Sequence, residues 1–207
     1  MAGQIVYQQN YVKQNGLKAH SRGFGDSYFF WRYCALEENE ILPHLTGIFQ
    51  LKFPTGKYEK ADPDKLGSDL MGATSGGGTY DHGYGIILTK RLKQFIIHAD
   101  AIYSFPLERK IDNIKTQYAR YLNYDFGIEY FLPEGFNLML EFNGFLQGDK
   151  EEDGEKIPAS NINYLATAVG IGWSNEKIQT LFAYQRILNG TNTDANDSLV
   201  LTFVYNF

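Results

Sequence analysis

The feature that most constrains this chain is a two-residue rhythm of apolar and polar side chains that runs almost from end to end. Successive side chains of a strand point to opposite faces, so this rhythm specifies half-apolar strands; helical spacing is almost absent. It predicts ten strands, near residues 4–13, 25–37, 40–53, 79–92, 94–106, 116–132, 135–148, 160–174, 177–188 and 197–207. The joints alternate in length. Short ones fall at Glu38-Asn39, Lys93, Pro133-Glu134 and Asn175-Glu176, and long ones cover about residues 14–24, 54–78, 107–115, 149–159 and 189–196. Short turns on one side and long loops on the other are how outer-membrane barrels are built. An even strand count also puts both termini on the short-turn side.

One face of the last strand carries Leu199, Leu201, Phe203, Tyr205 and Phe207, and one face near 116–132 carries Leu122, Tyr124, Phe126, Ile128 and Tyr130. A half-buried strand of a soluble protein alternates in the same way, so a lipocalin-like barrel or a sandwich remains a second reading. The aromatic residues discriminate. Phe95, Tyr130, Phe136 and Trp173 fall near short turns, whereas Phe53, Tyr80, Tyr103 and Phe105 fall near long loops. That placement reads as two aromatic girdles at membrane interfaces. The expected fold is therefore all-β, an antiparallel up-and-down transmembrane β-barrel forming one domain over residues 1–207. It has about ten strands as given, or twelve if N-terminal strands are missing.

Composition alone points elsewhere. The 207 residues carry a net charge of −5, and no apolar run is long enough for a membrane-spanning helix. In a barrel, however, the apolar face meets lipid and the polar face lines the lumen, so a mildly polar average is the normal result. The 15 Phe, 15 Tyr and 2 Trp beside 21 Gly suit an all-β chain. The acidic balance argues against a nucleic-acid partner. A single cysteine, Cys34, excludes a disulfide framework and a cysteine-rich zinc module. The opening Met1-Ala2-Gly3-Gln4-Ile5-Val6-Tyr7 has neither the basic nor the apolar region of a signal peptide. The expectation is that a leader and some N-terminal structure were removed, or that the start was trimmed or misassigned.

Two stretches go beyond pattern. The run Leu199 to Phe207 resembles the C-terminal signal that outer-membrane proteins present to the barrel-assembly machinery, with Phe203, Tyr205 and Phe207 on one face. A second set resembles the MetA-pathway of phenol degradation family of outer-membrane transporter-like barrels. Gly23-Phe24-Gly25-Asp26 followed by Arg32-Tyr33 is similar to that family's Gly-x-Gly-Asp strand ending in a basic-Tyr pair. Leu51-Lys52-Phe53-Pro54-Thr55-Gly56 is similar to its Leu-Pro-Thr-Gly strand exit, with Phe53 in place of the usual Leu. Ser75-Gly76-Gly77-Gly78-Thr79-Tyr80-Asp81 resembles its long-loop return. The resemblance implies a channel or transporter in the outer membrane of a Gram-negative bacterium, taking up small aromatic or otherwise hydrophobic compounds. The partners then expected are outer-membrane lipid and lipopolysaccharide, the assembly machinery and a small-molecule solute.

The polar faces supply the candidate pore lining. The set includes Asp26, Arg32, His44, Gln50, Lys52, Asp81, His98 and Asp100. Asp125, Glu129 and Glu141 complete the set. Charges of both signs suit either a solute path whose selectivity is set by charge, or a hydrogen-bonded plug in a structural barrel whose loops bind partners.

Other chemistry finds weaker footing. A lipid-modifying enzyme could be imagined from His98, Asp100 and Ser104 on one face, but the strand rise separates His98 from Ser104 by roughly 20 Å. No cofactor, catalytic or metal site is expected, since the four histidines show no ligand spacing. The acidic run Gly148 to Lys156 reads as a solvated loop tip. The triple glycine Gly76-Gly77-Gly78 reads as the hinge of a long loop, because no Lys-Ser/Thr follows it.

Overall fold

Backbone ladders confirm the two-residue rhythm wherever it is strongest. The computed structural model of the chain describes the backbone of residues 2–4, 7–14, 17–56, 77–111, 113–193 and 197–205, with side chains from Phe24 onward, Ile111 excepted. Its strands are β1 (Ala2–Gln4), β2 (Tyr7–Gln14), β3 (Leu17–Phe24), β4 (Ser27–Leu36), β5 (His44–Phe53), β6 (Asp81–Leu92), β7 (Phe95–Pro106), β8 (Arg109–Ile111), β9 (Ile114–Gln117), β10 (Tyr121–Phe131), β11 (Phe136–Gln147), β12 (Glu151–Glu152), β13 (Glu155–Lys156), β14 (Ile162–Ser174), β15 (Ile178–Thr191) and β16 (Asp197–Tyr205). Ten of them form one sheet in the order β1-β4-β5-β6-β7-β10-β11-β14-β15-β16. From β4 onward each long strand pairs antiparallel with the next long one in the chain, an up-and-down arrangement. Strands of this length, tilted, match the thickness of a bilayer core.

Two expectations are corrected. Residues 4–13 are not one strand of the main sheet: among the described residues of the segment Ala2–Gln4 joins it, opposite Tyr28–Phe30, while β2 and β3 pair with each other as a separate hairpin. Much of the stretch read as a loop over 14–24 is the second arm of that hairpin. Closure is the second point. Among the described residues no ladder joins β1 to β16, so the sheet has two edges where a closed barrel was expected.

The loops hold a third difference. Residues 107–115 and 149–159, read as irregular, contribute β8, β9, β12 and β13 to a four-stranded sheet in the order β13-β12-β9-β8, and residues 116–117 belong to it too. Glycine and acidic residues hid these strands from a propensity argument, but backbone pairing between neighbouring loops makes them. The Lys115 amide donates to Asp153 Oδ1 at 2.9 Å and the Asp153 amide donates to the Lys115 carbonyl at 2.8 Å.

Burial in the main sheet is inverted relative to a soluble protein. Among the described residues the buried apolar side chains are Ile48, Ala166, Ala168 and Ala183, whereas Asp26, Gln50, Lys52, Thr79, Asp81, Ser104 and Thr116 are buried polar ones. The exposed set includes Trp31, Tyr84, Ile86, Leu138, Val169, Phe182, Leu199 and Leu201, all on the opposite face. At one short turn Gly135 holds φ 83° against the Ser174 carbonyl, where a Cβ would collide, and Trp173 Nε1 donates to the Glu134 carbonyl at 3.2 Å. The turn between β10 and β11 thus locks to the end of β14.

Asp149 ties the loop sheet to β14. Its Oδ1 accepts from the Ser160 and Asn161 amides at 3.0 and 2.9 Å, and Lys156 lies 3.3 Å from Oδ2. Desolvation pushes the carboxyl up, but the hydrogen bonds from Lys156, Asn161 and Ser160 outweigh it and hold it below the usual carboxylate range. A depressed folded value means that the stabilisation is present above the unfolded value, about 4, and is lost as pH falls through the folded one. Hydrogen exchange of the Ser160 and Asn161 amides, corrected for intrinsic rates, is expected to show protection at neutral pH and its loss in strong acid. In Asp149→Asn that protection is expected to be weak at every pH.

Candidate functional site

Strand parity decides which residues share the polar face. Tyr28 lies opposite Lys52, and Lys52 opposite Asp81; Phe30 lies opposite Gln50, and Gln50 opposite Gly83. Further round, Asp100 is opposite Asp125, and Asp125 is opposite Asn143. This face is concave, because a cavity of about 480 Å³ is lined at once by Tyr28 of β4 and Tyr164 of β14, strands far apart in the sheet. The sheet therefore curls around it, with the polar side inward.

At the loop end the inner face carries a buried charge network. Lys52 Nζ lies 2.5 Å from Asp81 Oδ2 and 3.9 Å from Asp26 Oδ2. It also donates to Thr79 Oγ1 at 3.3 Å, and that hydroxyl donates to Asp81 Oδ1 at 2.7 Å. Tyr121 OH donates to Asp81 Oδ2 at 2.8 Å. Asp26 has a second task. Its two oxygens accept from the Gly56 amide at 3.1 Å and the Gly77 amide at 2.8 Å, so one carboxylate holds both stems of the long loop. Thr55 Oγ1 donates to the Gly25 carbonyl at 3.1 Å and lies 2.8 Å from Ser27 Oγ. The three short motifs singled out in the sequence, around Asp26, Thr55 and Asp81, thus meet at one place. The loop centre, residues 57–76, lies outside the described residues, as does Gly76 of the triple glycine.

Midway along the strands a second set gathers. Asn143 Nδ2 donates to Asp125 Oδ1 at 2.5 Å and to Glu141 Oε1, and Gln185 Nε2 donates to Asn143 Oδ1 at 3.3 Å. His98 projects over Gly127, occupying the space that a side chain there would need. Toward the turn end, Asn137 Nδ2 donates to Glu129 Oε2 at 3.3 Å beside a further cavity of about 340 Å³, and His44 Nε2 lies 2.9 Å from Thr46 Oγ1. Arg32 has inner-face parity but is exposed, because β1 covers the edge of β4 only as far as Phe30. Its guanidinium lies 6.0 Å from the Phe30 ring.

The outward face carries the aromatic residues expected to form the two girdles. At the loop end Phe53 meets Tyr80 edge-on at 6.2 Å and Tyr103 meets Phe105 at 5.0 Å. At the turn end Phe95 lies 4.8 Å from Tyr130, and Phe136 is opposite Trp173 in the ladder. Phe203 and Tyr205 are exposed on the outer face of β16; Phe207 lies outside the described residues.

Aromatic residues on the inner face are what sequence reasoning missed as a site. Phe145 lies 5.4 Å from Tyr121 and stacks on Tyr164 at 5.7 Å, and all three line the cavity with Tyr28 and Tyr118. The available signal was aromatic side chains at the polar parity of β10, β11 and β14. For covalent chemistry the geometry is poor: Ser104 Oγ is buried and no histidine among the described residues hydrogen-bonds it. Among the described residues no group of three or more His, Cys, Asp and Glu side chains is placed to hold a metal ion.

Comparison with known proteins adds two findings. Residues 2–203 match the family described as "Putative MetA-pathway of phenol degradation". The structure is similar to that of an outer membrane channel from Pseudomonas putida F1, with a TM-score of 0.82 at 16% identity, covering 99% of this chain and 75% of that one. No curated protein matches the sequence.

Lys52 is the cation of its network, so Lys52→Met should leave two buried carboxylates facing one another. That loss is expected to destabilise the fold by about 3–5 kcal/mol. Denaturant titration of the detergent-folded protein measures it. Asp26→Asn combined with Lys52→Met should recover part of the loss.

Proposed function

The chain belongs to the MetA-pathway of phenol degradation family, and from that premise we propose that it is an outer-membrane channel of a Gram-negative bacterium, passing small solutes, aromatic or otherwise hydrophobic compounds among them. The observation that carries this reading is the inverted burial: the outward face is apolar and exposed, and the inward face is polar and holds the cavities. Apolar surface of this extent is stable facing lipid tails and would be costly in water. In a bilayer Phe53, Tyr80 and Tyr103 take one interface, and Phe95, Tyr130, Phe136 and Trp173 take the other, where amphipathic rings sit best. Hydrocarbon tolerates no open strand edge, so the reading requires that the edges of β1 and β16 be paired in the membrane.

Solute enters at the loop end past Asp26, Lys52 and Asp81, crosses the layer of Asp100, Asp125, Glu141 and Asn143, and leaves by the cavity near Glu129. No covalent step is assigned to any of these residues. The outer surface contacts lipid and lipopolysaccharide, and Phe203, Tyr205 and Phe207 serve recognition by the assembly machinery. One observation favours a second reading, a structural barrel with a plugged interior: the amide of Asn143 bridges Asp125 and Glu141 across two strands, and Gln185 extends the bridge to a third.

Planar-bilayer conductance and solute uptake by proteoliposomes separate the two. The channel is expected to conduct and to speed uptake of small uncharged solutes. A folded, inserted protein that does neither would overturn the channel reading in favour of the plug.

A further inference from the structure

The charges at the loop-end cavity are already spent on one another. Both oxygens of Asp26 and both of Asp81 accept from protein donors, and Lys52 is shared among Asp26, Asp81 and Thr79. An ionic ligand would have to break this network, and two carboxylates against one ammonium repel an anion. What remains unspent in the cavity is neutral. Gln50 lines it, is only 6% exposed, and makes no hydrogen bond among the described residues. Its carboxamide opens onto the cavity, where its donors and acceptor can pair with water or with a guest. Opposite this polar wall stands the ring ladder Tyr121, Phe145 and Tyr164, with the Phe145 and Tyr164 planes inclined by only 15°. Flat faces of this kind favour a flat, ring-bearing guest.

We propose that the loop-end cavity is a binding site for uncharged planar molecules, with the ring against Phe145 and Tyr164 and a hydrogen-bonding group on the Gln50 carboxamide. The proposal rests on the channel reading for its role, as the point where solute is selected before it crosses. It assigns Gln50 the part of discriminating by hydrogen bonding, and the Asp26–Lys52–Asp81 network the part of rejecting anions. Its volume, about 480 Å³, is in the range of small-molecule sites.

Three probes of nearly equal size separate the terms: benzamide, its anionic isostere benzoate, and the puckered cyclohexanecarboxamide. Titration calorimetry on the detergent-folded protein is expected to show saturable one-to-one binding of benzamide, at least about tenfold tighter than benzoate. Cyclohexanecarboxamide is expected to bind roughly fivefold more weakly, since it cannot stack. Gln50→Leu should lower benzamide affinity about tenfold in a protein that still folds, since it removes the hydrogen-bonding group at nearly constant volume. Gln50→Asn, which keeps the amide but draws it back, should fall between the two. Equal affinity for benzoate and benzamide, or unchanged benzamide affinity in Gln50→Leu, would overturn the proposal. Solute flux through proteoliposomes without saturable benzamide binding would overturn this site and leave the channel standing. Binding that Gln50→Leu removes, in a protein without flux, would support the site and overturn the channel.

Discussion

A strand can keep one face polar and the other apolar across a sheet only if its neighbours hold the same register, and that register is the constraint on which everything else here depends. A slip of one residue would turn every inner side chain outward. From β4 to β16 the ladders hold with two irregularities, one at Cys34/Leu36 and one at Leu165/Ala166. Because they hold, Lys52 meets Asp81, and Asp125 meets both Asp100 and Asn143. The backbone amides that make the ladders also satisfy themselves within the sheet, so the outward face can be almost wholly apolar.

The inner face divides the work. At the loop end a salt-bridged network fixes the mouth: Asp26 clasps the stems that enter and leave the long loop, and Asp81 gathers Lys52, Thr79 and Tyr121. At mid-height, amide groups of Asn143 and Gln185 soften a layer of carboxylates. The loop-end cavity is lined by this network together with the rings of Tyr28, Tyr121, Phe145 and Tyr164 and the neutral carboxamide of Gln50. Stability and selectivity thus draw on different residues of the same face. The charges that would attract an ion are committed to holding the loop.

Legibility followed the strength of the alternation. Strands β6, β7, β11 and β14 begin and end within about two residues of the expected bounds, because alternation over most of twelve or thirteen residues, closed by a turn, leaves little freedom. The segment 2–24 alternates weakly between polar residues, so its pattern does not separate one strand from a hairpin, and the short strands β8, β9, β12 and β13 carry no periodic signal at all. Their existence depends on two loops lying side by side, which no local pattern encodes. Most of the residues singled out for the pore share the inner face, since parity alone places them; their partition into a mouth network and a mid-height layer follows from neighbours up to 51 residues apart in sequence.

By itself the sequence determined that the chain is built of antiparallel strands, which side chains share a face, and that aromatic residues collect at both strand ends, because side-chain direction in a strand has a period of two and needs no tertiary information. Only the tertiary structure decided that Asp26 pins both stems of the long loop, that the loops make a sheet of their own, and that Gln50 faces Phe145 and Tyr164 across a cavity. Those contacts depend on the curvature of the sheet and on the stagger between strands. Both are set by the summed twist of many ladders, and no single strand carries them.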